Sequence, residues 1–515
     1  MHGGIGQRVL GLRGTFAGMR IAILAVIAIG CGGHASAPAS PPPAAAAFPA
    51  ARWVPARPAY VFSSPTAGDA QHSLRDAIDL IGTAAGYDLR DAARVVEGLL
   101  GFDALHPEPL AAIGVDLQGS WAMFSEGLNP TFVVHLAAPS QMATFLAGQR
   151  DRGLVTQSVI VDKIEVVSAK LIGGVALRWA IDGDWMWVHF ALPFIHEDDT
   201  SWFTASHGLH GDEWTGNWRW ARNAAGAAAG LVGFFDLHGA IASAVARLPD
   251  AVACAKLVEP VGRVAVALQG DNQHVAARIA VDVGSTTGIH SMIRPAPAGW
   301  GDTAARAPLA AQWNLDLAAT RSWLAPCLAA AGGPLAMLGE LPVRTARGML
   351  LDFDPDKLSG SGAVAFDLTS ATFFERQLDQ LPMRRALERA RTFGPYKGFS
   401  ISIPFSVTVD YVLEPTLAIA ALGEGLLGKL VAPGGGGAGP AGGAPPIFAL
   451  DVIPPKLSPA AWASVLHVLA ERSLSGAPGP ATKHAVDHLL RWHDIHLAVT
   501  AEATELVFTA AATRR

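Results

Sequence analysis

The sequence has few cysteines, little charge and no apolar run of spanning length at its start. Three cysteines in 515 residues are too few for a disulfide-rich scaffold. The formal net charge of −6 lacks the basic excess that nucleic-acid binding requires. The apolar run at 21–31 has eleven residues, whereas a membrane-spanning helix needs about 20. We therefore expect no nucleic-acid partner and no span at this position.

Short catalytic motifs are also missing. The sequence contains no G-x-S-x-G, no H-E-x-x-H and no C-x-x-C. Catalytic groups can converge from distant positions, so these absences remove only the simplest arguments for an enzyme. We expect no catalysis and no cofactor. Half of the residues are hydrophobic and 16% are charged, which allows a large core and excludes global disorder.

The first 30 residues read as a secretory signal. Arg8, Arg13 and Arg20 precede the short apolar run, and small residues follow it. This order of a basic region, an apolar region and small residues is typical of signal peptides. Two processing sites are possible. Ala35-Ser36-Ala37 has the A-x-A pattern, but Pro38 follows it directly.

The other site, Ala28-Ile29-Gly30-Cys31, resembles the lipobox of bacterial lipoproteins, although Ala28 stands where leucine is usual. The resemblance implies that the chain is cut before Cys31, that the cysteine is lipid-modified, and that the new N-terminus is acylated. Several acyl chains hold a protein on a membrane where one chain would not. We expect a protein lipid-anchored in the cell envelope, at the outer membrane, facing the periplasm or the cell surface. Plain secretion and an uncleaved anchor remain alternatives.

Composition divides the chain into successive segments. A Pro/Ala-rich tract suggests a semi-extended tether, and a Gly/Pro-rich tract suggests a flexible loop. The predicted segments are a signal peptide (1–30), the lipid-anchor cysteine with its tether (31–55), a first α+β domain (56–300), a second α+β domain (301–432), the flexible loop (433–446), and a β-α-α-β-β segment packing on the second domain (447–515).

Within the body, an apolar strand repeatedly ends in Asp-Leu or a close equivalent, and a helix begins a few residues later. The instances start at Val133, Phe234, Trp313, Ala365 and Phe448. Their irregular spacing excludes a solenoid of fixed period and fits a duplicated or elaborated β-β-α unit. The simpler alternative is that strand-to-helix turns favour polar residues.

Adjacent strands in the body are joined by short polar links such as "IDGDW" and "LQGDNQ", which suit hairpins. The predicted fold is therefore α+β: one or more large antiparallel sheets built from hairpins and recurring β-β-α units, with helices packed on one face.

Residues 96–124 contain a phrase of the form GxDxLxPxxLxxxGxD. The matching residues are Gly101, Asp103, Leu105, Pro107, Leu110, Gly114 and Asp116. The segment is similar to a widespread type of uncharacterised bacterial envelope protein that repeats this phrase before a strand pair. The resemblance implies a related fold and an extracytoplasmic setting, and it implies no chemistry.

Two histidine-rich segments are candidate metal sites. His484 and His488 share a helix face, and such i,i+4 spacing can hold zinc. The segment lacks the glutamate of metalloprotease motifs, and an amphipathic helix is the simpler interpretation. In the acidic, Trp-rich segment 194–220, the candidate ligands are His196, His207 and His210. The alternative there is an ordered surface loop without a ligand.

The sequence thus favours a lipid-anchored envelope protein of the binding, scaffold or transport-accessory class, without catalytic activity. Its partners would be the membrane, through the lipid, and an apolar ligand such as a lipid, which broad sheets backed by helices can enclose. The alternative is an extracytoplasmic metal-dependent hydrolase that uses the histidine segments.

We predict a disulfide between Cys254 and Cys327. Once Cys31 carries lipid, these are the two remaining thiols, and an extracytoplasmic compartment oxidises accessible pairs. Two buried free cysteines are the alternative. We expect no free thiol when the mature protein is denatured without reductant and titrated with a thiol reagent. Two titrating thiols would contradict the bridge.

Overall fold

The structure is a computed structural model, and it describes the greater part of the chain after residue 47. The described residues are 48–68, 97, 106–127, 129–151, 155–170, 174–192, 198, 200–207, 212–226, 230–238, 260–270, 273–294, 301–323, 342–357, 359–380, 384–403, 407–431, 445–471 and 480–514. They form two compact units: the described residues from 48 to 238 and from 262 to 281 belong to unit 1, and residues 260–261 and those from 282 onward belong to unit 2. Cys31, Cys254 and Cys327 lie outside these residues, so the lipid site and the disulfide stay predictions.

Ten strands make up unit 1. They are β1 (Tyr60–Ser64), β2 (Trp121–Ser125), β3 (Thr131–His135), β4 (Thr156–Val161), β5 (Ile164–Lys170), β6 (Ala176–Asp182), β7 (Trp185–Ala191), β8 (Leu231–Asp236), β9 (Arg263–Gly270) and β10 (His274–Asp282). Every pairing among them is antiparallel, in the order β10-β9-β8-β1-β2-β3-β7-β6-β5-β4.

Unit 2 also has ten strands. They are β11 (Leu309–Trp313), β12 (Val343–Asp354), β13 (Ser359–Leu368), β14 (Glu388–Phe393), β15 (Tyr396–Ile403), β16 (Val407–Glu414), β17 (Leu417–Leu422), β18 (Phe448–Val452), β19 (Trp492–Ala501) and β20 (Glu505–Arg514). Their order is β20-β19-β18-β11-β12-β13-β17-β16-β15-β14, again antiparallel throughout.

The two units therefore repeat one topology. Each strand of unit 1 corresponds to the strand numbered ten higher in unit 2, both along the chain and across the sheet. A helix follows β3, and a helix follows its counterpart β13. The duplication extends over a whole ten-stranded unit and not over a single β-β-α element. Such a long shared strand order indicates an internal repeat, although the two halves of the sequence carry no fixed period.

The described helices are mostly short, and four of them exceed eight residues. They are α1 (Pro107–Ala112), α2 (Pro139–Asp151), α3 (Ser201–His207), α4 (Asp212–Ala225), α5 (Thr287–Met292), α6 (Gly301–Ala305), α7 (Thr372–Asp379), α8 (Arg384–Leu387), α9 (Leu426–Leu430), α10 (Pro459–Glu471) and α11 (Pro480–Leu489). The described chain also contains two 3₁₀ turns, Pro49–Trp53 and Pro454–Lys456. Residues 317–323, after β11, are helical as well.

The prediction of an α+β fold with helices packed on one face is wrong. The chain is mostly antiparallel sheet, and its few helices are not packed on one face. In unit 1, Met186 of β7 packs with α2, whereas the next residue, Trp187, packs against Phe203 of α3. Successive strand residues point to opposite faces, so these helices cover opposite faces of the sheet.

Unit 2 shows the same arrangement at β12. Met349 belongs to a core with Leu427 and Leu430 of α9, whereas Leu350 packs with Trp462 of α10. The prediction that helices pack on one face was wrong because the strand-to-helix pattern shows where helices begin and carries no information about which face of the sheet they cover.

The strand-to-helix pattern that begins at Trp313 is explained by a hydrogen bond that caps the helix. At the end of β11, Asp316 is buried, and its Oδ1 accepts a hydrogen bond from the backbone N–H of Ala319 at 3.0 Å. A side chain of this kind caps the first turn of the following helix. Burial opposes ionisation of Asp316, but this bond and the bond from Arg294 outweigh it and lower the pKa of the carboxyl.

Candidate functional site

The N-terminal segment Phe48–Val54 directly follows the Pro/Ala-rich tract and packs into unit 1. Phe48 is 4% exposed, and Ala50 and Val54 are fully buried. Pro49 opens the 3₁₀ turn, where its fixed φ favours the turn and its missing N–H costs nothing. A chain end without such contacts is usually poorly ordered, so this packing needs specific partners.

Phe48 supplies the first set of contacts. Its ring meets the edge of Trp218 at a centroid distance of 5.6 Å, and the guanidinium of Arg222 lies 4.9 Å from the Phe48 centroid. Both partners belong to α4. Burial lowers the pKa of Arg222, and a cation over an aromatic face recovers part of the solvation it loses.

Trp53 supplies the second set. Its ring lies edge-on to Trp187 at 4.9 Å and stacks on His207 at 5.5 Å. The carbonyl of Trp53 accepts a hydrogen bond of 2.6 Å from Ser206 Oγ, which itself accepts one of 2.9 Å from Trp187 Nε1. One buried hydroxyl thus joins the N-terminal segment, the sheet and α3.

Beside Trp185, whose ring also contacts Trp53, a histidine bridges two aspartates. His135, at the end of β3, lies 2.8 Å through Nδ1 from Asp116 Oδ2 and 3.0 Å through Nε2 from Asp184 Oδ2. The hydrogen bond from His135 lowers the pKa of Asp184, with a smaller contribution from the charge of Arg52. The guanidinium of Arg52 also lies 5.1 Å from the ring of Trp185. We call Asp116, His135 and Asp184 the histidine bridge.

The histidine bridge has a structural role, because its hydrogen bonds hold chain segments together. Both ring nitrogens of His135 lie within hydrogen-bond distance of an aspartate oxygen. Each nitrogen faces a carboxylate, and this leaves neither placed to take a proton from a nucleophile. The arrangement therefore joins three chain segments at one end of the sheet.

Backbone geometry explains why the bridge forms from these residues. Gly114 has φ +96, which favours glycine, and a Cβ there would lie 2.4 Å from the carbonyl oxygen of Ala138. A Cβ at Gly119 would lie 2.7 Å from Cβ of His135 and 2.9 Å from Oδ2 of Asp116. Glycine at both positions lets the chain fold tightly around the bridge.

Several residues of this site belong to patterns that are visible in the sequence, but no pattern connects them to one another. Gly114 and Asp116 belong to the phrase GxDxLxPxxLxxxGxD, and His135 takes the place of the aspartate in the strand-to-helix pattern that starts at Val133. Asp184 was only a turn residue in "IDGDW", and Arg52 and Trp53 were assigned to the tether. The sequence signal that could have located this segment was the presence of the large apolar residues Phe48, Trp53 and Val54 immediately after a proline-rich tract.

Where the structure describes it, the histidine-rich segment 194–220 is largely helical, in α3 and α4. Trp202, Phe203 and Trp218 are buried there. His207 Nε2 lies 3.1 Å from Asp182 Oδ2, and the ring stacks on Trp53. His196 and His210 fall outside the described residues, so a metal site using all three stays a prediction.

His484 and His488 lie on α11, whose Val486 is buried in the core beneath α10. The side chain of His484 is outside the described residues, so a metal site at His484 and His488 stays a prediction. Within the residues that the structure does describe, no cluster of three or more His, Cys, Asp or Glu could hold a metal ion.

His496, on β19, hydrogen-bonds through Nδ1 to Asp451 Oδ1 on β18. The bond to this carboxylate raises the pKa of His496, while burial acts in the opposite direction. His493 makes a similar pair with Asp494 at 3.0 Å. Both histidines are thus bound to acids of the sheet.

Among the described helices, none combines the length and the apolarity that crossing a membrane requires.

No protein-family profile matches the chain, and no curated protein matches it. Solved structures with partial similarity include crystal forms III and I of the treponemal protein TP0453. Form III has a TM-score of 0.26 at 9% identity and covers 45% of this chain and 79% of that chain. Form I has a TM-score of 0.26 at 9% identity and covers 46% and 79%. Likeness at this level supports no inference about fold or function.

Substitution of Gly119 tests the histidine bridge. Gly119→Ala should lower the free energy of unfolding by about 1–3 kcal/mol, because the new methyl group overlaps His135 and Asp116. Urea denaturation measures the change. Gly127→Ala is the matched control, since a Cβ at Gly127 has no atom within 4 Å. Equal effects of the two substitutions would show that the packing around the bridge is not tight.

The His496–Asp451 pair predicts a pH dependence. A raised folded pKa means that the pair stabilises the fold fully below about pH 6.5 and loses this contribution as pH rises through the folded pKa. The stability difference between the wild type and His496→Gln should therefore shrink at higher pH. Urea denaturation from about pH 5 to 9 measures it. A difference independent of pH would contradict the assignment.

Proposed function

We propose that this protein is a lipid-anchored, non-catalytic envelope protein of the binding, scaffold or transport-accessory class. Lipid on Cys31 attaches it to the outer membrane, facing the periplasm or the cell surface. The observation that carries the proposal is the burial of Phe48, Ala50, Ala51 and Val54 at the end of the predicted tether. An anchor needs a firm attachment to the body it holds, and this segment provides one.

The distance from lipid to body follows from the covalent chain. Phe48 follows Cys31 by 17 positions, and an extended chain spans at most about 3.3–3.6 Å per residue. Unit 1 would therefore stay within about 60 Å of the membrane surface. Pulling on the tether would act first on Phe48 and Trp53, whose partners lie on α3, α4 and the sheet.

An apolar ligand is the finer part of the proposal. Tyr60 and Phe62 of β1 and Phe235 of β8 lie on one face of the unit 1 sheet and are half-buried. The centroid of Phe235 lies 5.2 Å from that of Phe62 and 6.3 Å from that of Tyr60. Half-buried aromatic rings of this kind suit an acyl chain or another apolar molecule.

Cys31→Ser tests the anchor against plain secretion. If Cys31 is lipidated, the substitution should leave the precursor uncut or release the protein into the soluble fraction. Ala37→Leu is the matched variant, since it disrupts the A-x-A site alone and should change nothing. Cell fractionation and intact-mass spectrometry measure both. Unchanged membrane association and an unchanged mature mass in Cys31→Ser would refute the lipid anchor.

Native mass spectrometry of the purified wild type tests the remaining parts of the proposal. The expected spectrum shows acylation at the N-terminus and a co-purifying lipid bound to a fraction of the molecules. Stoichiometric zinc that is lost in a His484→Ala/His488→Ala double variant would instead support the hydrolase alternative.

A further inference from the structure

Strand β4 carries an unusual amount of exposed apolar surface. Six large apolar residues are exposed in the described chain, and three of them are Val155, Val159 and Ile160, with exposed fractions of 80%, 48% and 66%. The first lies just before β4, and the other two lie within it. Single exposed apolar residues need no explanation, whereas a cluster of them often marks an interaction surface.

β4 is also the last strand of its sheet. Among the described strands it pairs with β5 alone, so its outer edge presents backbone N–H and C=O groups that another strand can bind. Proteins usually protect such edges with charged residues or proline. The β4 sequence, Thr-Gln-Ser-Val-Ile-Val, has neither.

Unit 2 provides an internal comparison. Its strand β14 has the corresponding edge position, the same length of six residues and a two-residue turn to the next strand, like β4. When Thr156 is aligned with Glu388, the first five positions of the two strands have the same degree of exposure: the first is half-buried and the next four are exposed. In this alignment Val159 corresponds to Arg391 and Ile160 to Thr392.

Because β14 occupies the equivalent position with Arg391 and Thr392, the fold does not require apolar side chains there. Arg389 and Arg391 give β14 the charges that discourage edge pairing. β4 lacks these charges in an otherwise equivalent setting. The difference therefore points to a partner for the edge of unit 1.

The distribution along β4 favours a strand as partner over a lipid surface. Val155 and Ile160 are five residues apart, a distance of about 17 Å along a strand, so the apolar residues follow the edge. Val159 and Ile160 point to opposite faces. A membrane would contact the hairpin tip, which instead carries the charged residues Asp162 and Lys163. A paired strand contacts the whole edge and both flanks.

We propose that β4 pairs with β4 of a second copy of this chain, antiparallel and about a twofold axis. Full-length pairing places Thr156 opposite Val161 and Ser158 opposite Val159. The strand has no charged residue, so self-pairing brings no like charges together. Since six residues a side form an interface below the standard size, the dimer is weak and reversible.

Sedimentation velocity over a range of concentrations tests this dimer. The purified wild-type protein should shift from monomer to dimer as concentration rises. Val159→Arg/Ile160→Thr, which copies the β14 residues onto β4, should raise the Kd by about tenfold or more. Its fold should survive, because β14 tolerates these residues, and an unchanged circular dichroism spectrum and Tm verify this.

Val364→Thr is the control, since Val364 is 40% exposed but lies on β13, which is paired on both sides. It should leave the Kd unchanged. A wild type that stays monomeric at every concentration overturns the proposal. Equal dimerisation of the wild type and Val159→Arg/Ile160→Thr also overturns it, since another surface then joins the copies. The outcome does not depend on whether Cys31 carries lipid.

Discussion

Each ten-stranded sheet depends on the backbone hydrogen bonds of its first strand. β1 pairs with β2 on one side and β8 on the other, and β11 pairs with β12 and β18 in the same way. A strand of five residues therefore connects the two parts of each sheet. In unit 1 the N-terminal segment leads into this strand, so the contacts of Phe48 and Trp53 also fix the entry to β1.

Some structural features are shared by both units, and others are found in one unit alone. Both units share the strand order and have helices on both faces, because a wide sheet has two faces to cover. The histidine bridge between Asp116 and Asp184 belongs to unit 1, and the His496–Asp451 pair belongs to unit 2. The edge strands differ in the same manner: β14 presents arginines, whereas β4 presents valine and isoleucine.

Local patterns in the sequence predicted local structure well. The links "IDGDW" and "LQGDNQ" indicated hairpins, and β6–β7 and β9–β10 are antiparallel pairs joined there. Asp316 preceded a predicted helix, and it caps that helix. The long-range features were not predictable. His135 and Asp184 are 49 residues apart, and no sequence period relates a strand end to a distant hairpin turn.

The sequence by itself determined hairpin turns such as those of β6–β7 and β9–β10 and the start of helices that follow a strand-end acid, because these depend on side chains a few residues apart. It also carries the processing signal, which acts as a linear motif. Only the tertiary structure decided the order of strands, the faces that helices cover, and the packing of the N-terminal segment. Those depend on contacts between residues far apart in the chain, where many pairings satisfy the same hydrophobic pattern and packing selects one.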